Sequence, residues 1–112
     1  MECIFCKIVN KEIESKIVYE DENCLAFEDI NPQAPTHILV VPKKHISSLR
    51  EISAGDKNLI GHILYVISRI ALEKKLERGY RVVVNDGKDA GQSIFHLHFH
   101  LLGGRILGWP PG

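Results

Sequence analysis

Three of the six histidines in this chain, His96, His98 and His100, alternate with large apolar residues in the last fifth of the sequence. Alternation with a period of two is typical of a strand that buries one face. The pattern predicts a strand from His96 to Leu102, with its apolar residues in the core and its imidazoles about 6.5–7 Å apart on the other face. Such a row of imidazoles could be a solvated strand face, a set of zinc ligands, or a nucleophile oriented by its neighbours. The sequence alone does not separate the last two.

Two of the three cysteines, Cys3 and Cys6, are three residues apart, so their sulfur atoms can converge on a helix or a tight turn. This spacing is compatible with zinc binding, with redox chemistry, or with no shared role. The third, Cys24, is expected to be a small core residue. The odd cysteine count and the lack of a leader pattern favour a protein that is not secreted and has no disulfide framework.

The length of 112 residues predicts a single domain, over residues 1–112, with a core of its own. An apolar content of 45% and a charged content of 25% are ordinary for a soluble globular domain. The 14 basic and 14 acidic side chains give zero formal net charge, which argues against nucleic acid as a partner. No apolar run approaches the roughly 20 residues that span a membrane. We therefore expect a cytoplasmic protein without nucleic-acid or membrane partners.

The sequence before the histidines predicts a short helix and four more strands. The helix is expected within residues 3–9. Residues 17–20 and 24–27 flank a polar turn and predict a hairpin. Residues 36–41 are almost continuously apolar, which indicates a central strand, and residues 80–84 form another.

A long amphipathic helix is predicted between the third and fourth of these strands. Ser53 has the position of an N-cap, and Asp56 that of its capping-box partner. Apolar residues then recur at helical spacing through about Glu77, and Gly79 is the expected C-terminal cap. His62 lies off the apolar stripe and is expected to be exposed.

Two loops bring polar residues towards the strands. In residues 29–35, Asp29 could cap a turn or accept hydrogen bonds from sugar hydroxyls. Residues 85–93 contain glycines and no large apolar residue, which suits a plain connection or a loop that wraps an anion with backbone N–H groups. His45 follows a core strand, where a turn could direct it back to the N-terminal segment.

The arrangement of these motifs resembles the histidine triad superfamily. Residues 96–102 match its pattern, in which three histidines alternate with apolar residues and the last histidine is followed by two apolar residues. The segments that resemble its nucleotide-binding branch are 29–37, 42–46, 85–87, 91–93 and 109–112. The resemblance covers nearly the whole chain. It implies an α+β fold with a five-stranded antiparallel sheet, one long helix and a short N-terminal helix, and a homodimer that joins two sheets into one.

The resemblance also implies roles for single residues. His98 resembles the nucleophile that attacks the α-phosphate of a nucleotide, and water then hydrolyses the nucleotidyl-imidazole. His100 and His37 resemble the residues that fix its tautomer, and Ser93 and Asn85 those near the phosphate and leaving group. The implied nucleotide contacts are Asp29 for the ribose with Ile30 beside it, Ile4, Phe5, Ile8, Phe27 and Leu39 for the base, and Asn85, Gly91, Gln92, Ser93, His98 and His100 around the phosphate.

A structural Zn²⁺ site is implied by resemblance to the zinc-containing, bacterial-type members. Its ligands would be Cys3, Cys6, His45 and His96, a closed Cys₂His₂ set. Trp109 resembles a residue that reaches the partner subunit. No acidic cluster suited to Mg²⁺ is evident in the sequence, so catalysis is expected to need no metal.

The activity that the resemblance implies is that of a purine nucleoside phosphoramidase. Such an enzyme cleaves the P–N bond of an adenosine 5′-phosphoramidate type of substrate to an AMP- or GMP-type nucleotide and an amine. The nearest alternative is a dinucleoside polyphosphate hydrolase of the same superfamily. A nucleotide- or zinc-binding adaptor with incidental turnover is the alternative from another class.

Overall fold

The computed structural model describes residues 3–112, which fold around one five-stranded antiparallel sheet. The strands are β1 (Ile17–Glu20), β2 (Cys24–Glu28), β3 (Thr36–Pro42), β4 (Tyr80–Val83) and β5 (Phe99–Gly103). Their order across the sheet is β1-β2-β3-β5-β4, so β3 and β5 are central and β1 and β4 are edges. The predicted sheet, hairpin and α+β class are confirmed.

A long helix, α2 (Lys57–Glu73), covers one face of the sheet. Its apolar residues recur every three or four positions, so that one stripe is buried. Leu97, Phe99 and Leu101 pack in the same cluster, as the alternation predicts. The buried members that α2 contributes are Ile63, Val66, Ile67, Ile70 and Ala71. This cluster is the larger of the two cores.

A short helix, α1 (Ile4–Val9), covers the opposite face. A six-residue helix is marginal by itself in water, so packing has to hold it in place. Phe5 and Ile8 supply that packing and are buried on the sheet. The second cluster consists of Phe5, Ile8, Leu25, Phe27, Leu39 and Val41. The prediction of a short N-terminal helix is confirmed.

The predicted capping box of Ser53 and Asp56 is confirmed, but it caps a short turn before α2, and the C-terminal end of α2 differs from the prediction. A 3₁₀ turn, Ala54–Asp56, precedes α2, and the Asp56 carboxylate accepts hydrogen bonds from the Ser53 backbone N–H (2.9 Å) and hydroxyl (3.1 Å). At the other end α2 stops at Glu73, four residues before the expected Glu77. Lys75 has a φ of 59°, and Leu76 donates its N–H to the carbonyl of Ala71.

This end of α2 is a Schellman motif with lysine at the left-handed position. Lys75 also donates its N–H to Leu72, which completes the two bonds of the motif. The prediction that Gly79 caps the helix is therefore wrong. The error has a physical cause: the rule selects glycine because it tolerates positive φ at no cost, whereas here a lysine adopts that conformation.

The histidine strand begins later than predicted. β5 starts at Phe99, which is three residues after His96. The preceding residues are paired with the segment after β3 instead, since Leu97 donates its N–H to the carbonyl of Ile46 at 2.6 Å. His96 and His98 are both buried, so the interpretation of this row as a solvated strand face is wrong for these two residues. Within residues 3–112, no helix is both long enough and apolar enough to cross a membrane.

Candidate functional site

The His98 side chain is held in one tautomer by a backbone carbonyl. Its Nδ1 atom is 2.8 Å from the carbonyl oxygen of His96, and a carbonyl can only accept a hydrogen bond. Nδ1 therefore carries the proton, which leaves the Nε2 lone pair available. The side chain is buried, and the edge-to-face ring of Phe5 lies 5.1 Å away between centroids. In the neutral form of this ring, Nε2 is the candidate nucleophilic atom.

A second pair of histidines is oriented by the loop before β3. The Gln33 backbone N–H donates to His37 Nδ1 at 3.0 Å, so Nδ1 has no proton and His37 Nε2 carries it. His37 Nε2 is 2.9 Å from His100 Nδ1, which must then accept. His100 consequently keeps its proton on Nε2. The ring of His100 lies 5.0 Å from that of His98, so the chain of hydrogen bonds ends beside the candidate nucleophile.

Burial keeps both of these imidazoles neutral. It lowers the pKa of His100 to about 4, and the neighbouring His98 and His37 act in the same direction. Burial also lowers the pKa of His37, although the nearby Asp29 carboxylate opposes that change. Asp29 Oδ2 is 3.4 Å from His37 Nε2. Both rings are therefore neutral near pH 7, as the single-proton hydrogen bond between them requires.

Stability should fall in mild acid because His100 resists protonation in the folded protein. Its pKa is about 6.5 when unfolded and about 4 when folded, so its stabilising contribution is complete above pH 6.5 and is lost as the pH falls towards 4. We expect a loss of about 1–3 kcal/mol, discounted for partial exposure. Urea unfolding at pH 7 and pH 4.5 should show a smaller pH effect for His100→Asn than for wild type. Parallel pH curves for the two proteins would contradict this assignment.

The apolar residues that are predicted to form the base slot lie on the α1 face of the sheet, where Phe5 contacts His98. Phe5, Ile8, Phe27 and Leu39 are buried in one cluster, and their contact with a base stays a prediction. Ile4, also predicted to contact the base, is 45% exposed, and Ile30, predicted beside the ribose, is 97% exposed. Ile30 therefore projects into solvent. Its assignment as a nucleotide contact stays a prediction.

Asp29 lies at the start of the loop that orients His37. One of its oxygens accepts the Asn31 backbone N–H at 2.8 Å, which shapes the turn, and the other faces His37. The side chain is half-buried, so a ligand can still reach it. The two roles that the sequence left open for Asp29, turn cap and acceptor for a ligand hydroxyl, are compatible in this position.

The loop over residues 85–93 is organised by the side chain of Gln92. Its amide nitrogen donates to the carbonyls of Ser47 (2.9 Å) and Ile94 (3.1 Å), and its amide oxygen accepts the Gly87 N–H (2.9 Å). The Gln92 backbone N–H donates to the Gly87 carbonyl at 3.0 Å. The resemblance implies Gln92 as a phosphate contact, but its backbone N–H is already bonded within the loop. The sequence does not predict this structural role of the Gln92 side chain, because its contact with Ser47 is long-range and has no local pattern.

An ion pair fastens the same loop to the residues before α2. Asp86 accepts from the Arg50 backbone N–H (2.8 Å) and from its Nε (2.7 Å), and the guanidinium lowers the pKa of this carboxyl. Within the loop, Asn85 is half-buried, and Gly91 and Ser93 are exposed at its open end. Ser93 is therefore exposed on a loop whose backbone is held in place by the contacts of Asp86 and Gln92.

Loss of the Gln92 amide should destabilise the protein by about 2–4 kcal/mol, because Gln92→Ala leaves three polar backbone partners without their bonds. Gln33→Ala is a matched control, since the Gln33 side chain is exposed and makes one bond, to the Asn31 carbonyl. It should change stability by less than about 1 kcal/mol. Urea unfolding measures both. Equal effects of the two substitutions would show that the Gln92 contacts do not hold the loop.

The two cysteines near the N-terminus and two distant histidines form one cluster. The ligand atoms of Cys3, Cys6, His45 and His96 all lie within 4.8 Å of one another. The separations are 3.4 Å for Cys3 Sγ and His96 Nδ1, 3.3 Å for Cys6 Sγ and His45 Nδ1, and 3.1 Å for the two Nδ1 atoms. Ligand atoms around a tetrahedral zinc ion are about 3.3–3.8 Å apart. The donor set thus has the composition of a Cys₂His₂ zinc site, and its separations, from 3.1 Å to at most 4.8 Å, bracket this range.

The tautomer of His96 also suits a metal. Its Nε2 is 2.8 Å from the carbonyl of Pro42 and must donate to it, which leaves Nδ1 unprotonated and directed at the sulfur atoms. Burial raises the pKa of the Cys6 thiol to about 11, and contact with Cys3 acts in the same direction. Without a cation this thiol stays protonated, whereas a bound metal would stabilise its thiolate.

His62 is not exposed as predicted. It is half-buried, and its Nε2 lies 2.6 Å from Asp21 Oδ2. Partial burial opposes ionisation of Asp21, but hydrogen bonds from His62, Asn23, Tyr19 and Cys24 outweigh it and lower its pKa. The pair joins α2 to the turn between β1 and β2. Helical periodicity could not show this contact, since its partner is 41 residues away.

The tail after β5 contacts the Arg81 side chain of the edge strand β4. The Arg81 guanidinium donates to the Gly108 carbonyl at 2.9 Å and lies 5.9 Å from the centroid of the Trp109 ring. Trp109 itself is 80% exposed. The tail is therefore fixed to its own chain and displays the indole beyond the edge of the sheet. Its contact with a partner subunit stays a prediction.

Comparison with known proteins identifies the class. Residues 10–107 match the HIT domain, and the chain belongs to the HIT family. The membership that the sequence motifs predict is thereby confirmed.

Individual relatives are similar along most of their length. The chain is 53% identical over 111 residues to a 14 kDa zinc-binding protein of Zea mays, covering 97% of this chain and 87% of that one. A HIT family hydrolase of Legionella pneumophila superimposes with a TM-score of 0.98 at 48% identity, covering 99% and 100% of the two chains. A histidine triad nucleotide-binding protein of Candida albicans does so with a TM-score of 0.84 at 35% identity, covering 97% and 83%.

Proposed function

We propose that the protein is a nucleotide-binding hydrolase that cleaves the P–N bond of purine nucleoside phosphoramidates through a covalent intermediate on His98. The observation that carries the proposal is the hydrogen bond from His98 Nδ1 to the His96 carbonyl, which frees Nε2. The similar proteins of Legionella and Candida are described as a hydrolase and as a nucleotide-binding protein, in keeping with this chemistry.

The substrate would place its base in the apolar slot beside Phe5 and its ribose hydroxyls near Asp29. The α-phosphorus then lies within reach of His98 Nε2. Attack forms a bond from Nε2 to phosphorus while the bond from phosphorus to the substrate nitrogen breaks. One P–N bond replaces another, so the intermediate need not be much higher in energy than the substrate. The amine leaves after its nitrogen accepts a proton from solvent, and the water that later hydrolyses the intermediate returns a proton to solvent.

The neighbouring polar groups would stabilise the charges that develop in this step. His100 carries its proton on Nε2 and can donate it to a phosphate oxygen as negative charge develops. Ser93 and Asn85 are assigned to the leaving group or the phosphate. Water then attacks the nucleotidyl-imidazole, releases the nucleoside monophosphate and returns His98 to its starting tautomer. No step requires a metal.

A structural Zn²⁺ ion is part of the proposal. Cys3, Cys6, His45 and His96 would hold it, and the name of the Zea mays relative supports zinc in a protein of this kind. The ion would supply the charge that stabilises two thiolates and would tie α1 to the start of the histidine segment. It would not contact the substrate.

A homodimer that joins two β4 edges is also proposed. β4 is an edge strand, and Tyr80 and Val82 on it are partly exposed. Leu64, Tyr65 and Leu72 of α2 are exposed as well. An edge strand next to exposed apolar residues is a common site of self-association. Sedimentation that gives the monomer mass at micromolar concentration would contradict this part.

The test is release of AMP from adenosine 5′-phosphoramidate, measured beside hydrolysis of a diadenosine polyphosphate. The proposal expects faster release of AMP from the phosphoramidate. Preference for the polyphosphate would reassign the enzyme within the superfamily. Binding of AMP without turnover of either substrate would favour the adaptor. Assays with and without added Mg²⁺ test whether catalysis needs that ion.

A further inference from the structure

The loop before β3 carries both groups that orient His37. The Gln33 backbone N–H donates to His37 Nδ1 at 3.0 Å, and an oxygen of Asp29 lies 3.4 Å from His37 Nε2. His37 Nε2 in turn donates to His100 Nδ1 at 2.9 Å, and the His100 ring lies 5.0 Å from that of His98. The positions of the protons beside the candidate nucleophile therefore depend on where this loop lies.

The register of the sheet brings this loop, residues 29–35, against the tail that follows β5. Thr36, the first residue of β3, is paired with Gly103, the last residue of β5. Just beyond this pair, a Cβ atom added to Gly104 would lie 2.9 Å from the Cβ atom of Pro35. Gly104 also has a φ of 90°, a conformation that glycine adopts at little cost. Glycine at this position thus allows the tail to lie directly against the loop.

Arg105 adds a directional bond to this contact. Its Nε donates to the carbonyl of Gln33 at 2.9 Å, and its Nη1 donates to the carbonyl of Ile106 at 2.9 Å. Two bonds from one rigid, planar guanidinium fix its orientation. Among the hydrogen bonds of residues 3–112, the Arg105 bond is the one that reaches residues 30–34 from outside the loop and β3. It joins two segments of the same chain.

We propose that Arg105 is a positioning residue for the reaction, because it holds Gln33 where the backbone N–H of Gln33 keeps the His37 proton on Nε2. The inference rests on the proposed function of His98. Without the guanidinium, the Gln33 carbonyl is free to move, and the N–H of the same residue moves with it. The Asp29 carboxylate also favours a proton on His37 Nε2, but its separation of 3.4 Å is beyond a good hydrogen bond.

The other tautomer would reverse the bond between the two histidines. If the His37 proton moves to Nδ1, then His37 Nε2 must accept and His100 Nδ1 must donate. His100 then has no proton on Nε2 and cannot donate one to a phosphate oxygen as negative charge develops. The base slot and Asp29 remain, so substrate can still bind. Loss of Arg105 is therefore expected to slow turnover more than it weakens binding.

Arg105→Ala tests this role through ¹⁵N spectra of the histidine side chains and the steady-state release of AMP. In wild type we expect the Nδ1 atoms of His37 and His100 to show the shift of an unprotonated nitrogen. The variant should mix the tautomers of both rings and lower kcat about tenfold, with KM changed less than about twofold. Arg105→Lys keeps a donor at this position and should restore most of kcat. The control Arg69→Ala removes an exposed cation of α2 and should change neither readout.

Three results would overturn the proposal. The first is a folded Arg105→Ala whose histidine tautomers are those of wild type, whatever its activity. The second is a rise in KM with kcat unchanged, which would place Arg105 in substrate binding. The third is a change of sedimenting mass in Arg105→Ala alone, which would assign the loss to the subunit interface. Mixed tautomers in Arg105→Ala, beside a wild type that releases no AMP, would support the positioning role and refute the proposed reaction.

Discussion

Release of AMP from adenosine 5′-phosphoramidate should fall about a thousandfold or more when His98 is replaced by alanine, because the substitution removes the only atom proposed to attack phosphorus. The Nε2 lone pair is presented by the hydrogen bond from Nδ1 to the His96 carbonyl, and alanine offers no group in its place. Single-turnover assays measure the loss directly. Binding of AMP should change far less, since the base slot and Asp29 are unaltered.

A histidine outside the site provides the control. His62 is half-buried and paired with Asp21, away from the His98 ring. His62→Ala should lower the melting temperature but leave turnover within about twofold of wild type. Thermal unfolding of both variants shows whether any loss of activity is a loss of fold. Near-normal turnover by folded His98→Ala would exclude His98 as the nucleophile.

The alternation of histidines with apolar residues was sufficient to predict which side chains enter the core. Leu97, Phe99 and Leu101 pack under α2 as the period of two requires. It could not predict that His96 and His98 are buried before the strand begins. Both rings contact Phe5, at centroid distances of 6.0 and 5.1 Å, and Phe5 lies at the opposite end of the sequence. Local patterns carry no information on such contacts.

The tautomers of the site likewise follow from long-range contacts. His37 was assigned by family resemblance, but the group that fixes its protonation is the backbone N–H of Gln33. A backbone donor has no sequence signature, because every residue except proline has one. Once the coordinates place it, the positions of the protons on His37 and His100 follow from donor and acceptor rules alone.

The cluster of Cys3, Cys6, His45 and His96 likewise could not be predicted from residue spacing alone. The spacing of the two cysteines left zinc, redox chemistry and coincidence open. Only the fold brings the histidines to them, from positions 39 and 90 residues beyond Cys6. The carbonyl of Pro42 then selects the His96 tautomer that can bind a metal. The site is thus a property of the folded chain, which residue spacing alone could not establish.

Removal of the proposed zinc ion should loosen α1 and weaken nucleotide binding. α1 carries Phe5 between the two cysteines, and the Phe5 ring contacts His98, His96 and Phe27 at centroid distances of 5.1, 6.0 and 5.5 Å. So short a helix has little stability of its own. The ion is therefore expected to hold one wall of the apolar slot through α1.

Cys6→Ser tests this coupling, because it removes one ligand and leaves Phe5 in the sequence. Binding of a metal to the folded state alone stabilises by about 3 kcal/mol at a hundredfold excess over Kd. We expect the melting temperature to fall by roughly 10 °C, and Kd for AMP to rise about tenfold, which corresponds to about 1.4 kcal/mol. Metal analysis, thermal unfolding and calorimetric titration with AMP measure the three effects.

The matched control is Cys24→Ala, which removes a buried cysteine that belongs to the core under α2. It should retain full zinc content and AMP affinity even if packing is slightly weakened. Zinc absent from wild-type protein, with no gain in melting temperature when it is added, would contradict the metal site itself. If zinc is lost from Cys6→Ser while AMP binds as before, the metal site is present but α1 does not couple it to the slot. Loss of zinc and of AMP affinity together, with Cys24→Ala normal in both, is the result that the contacts of Phe5 require.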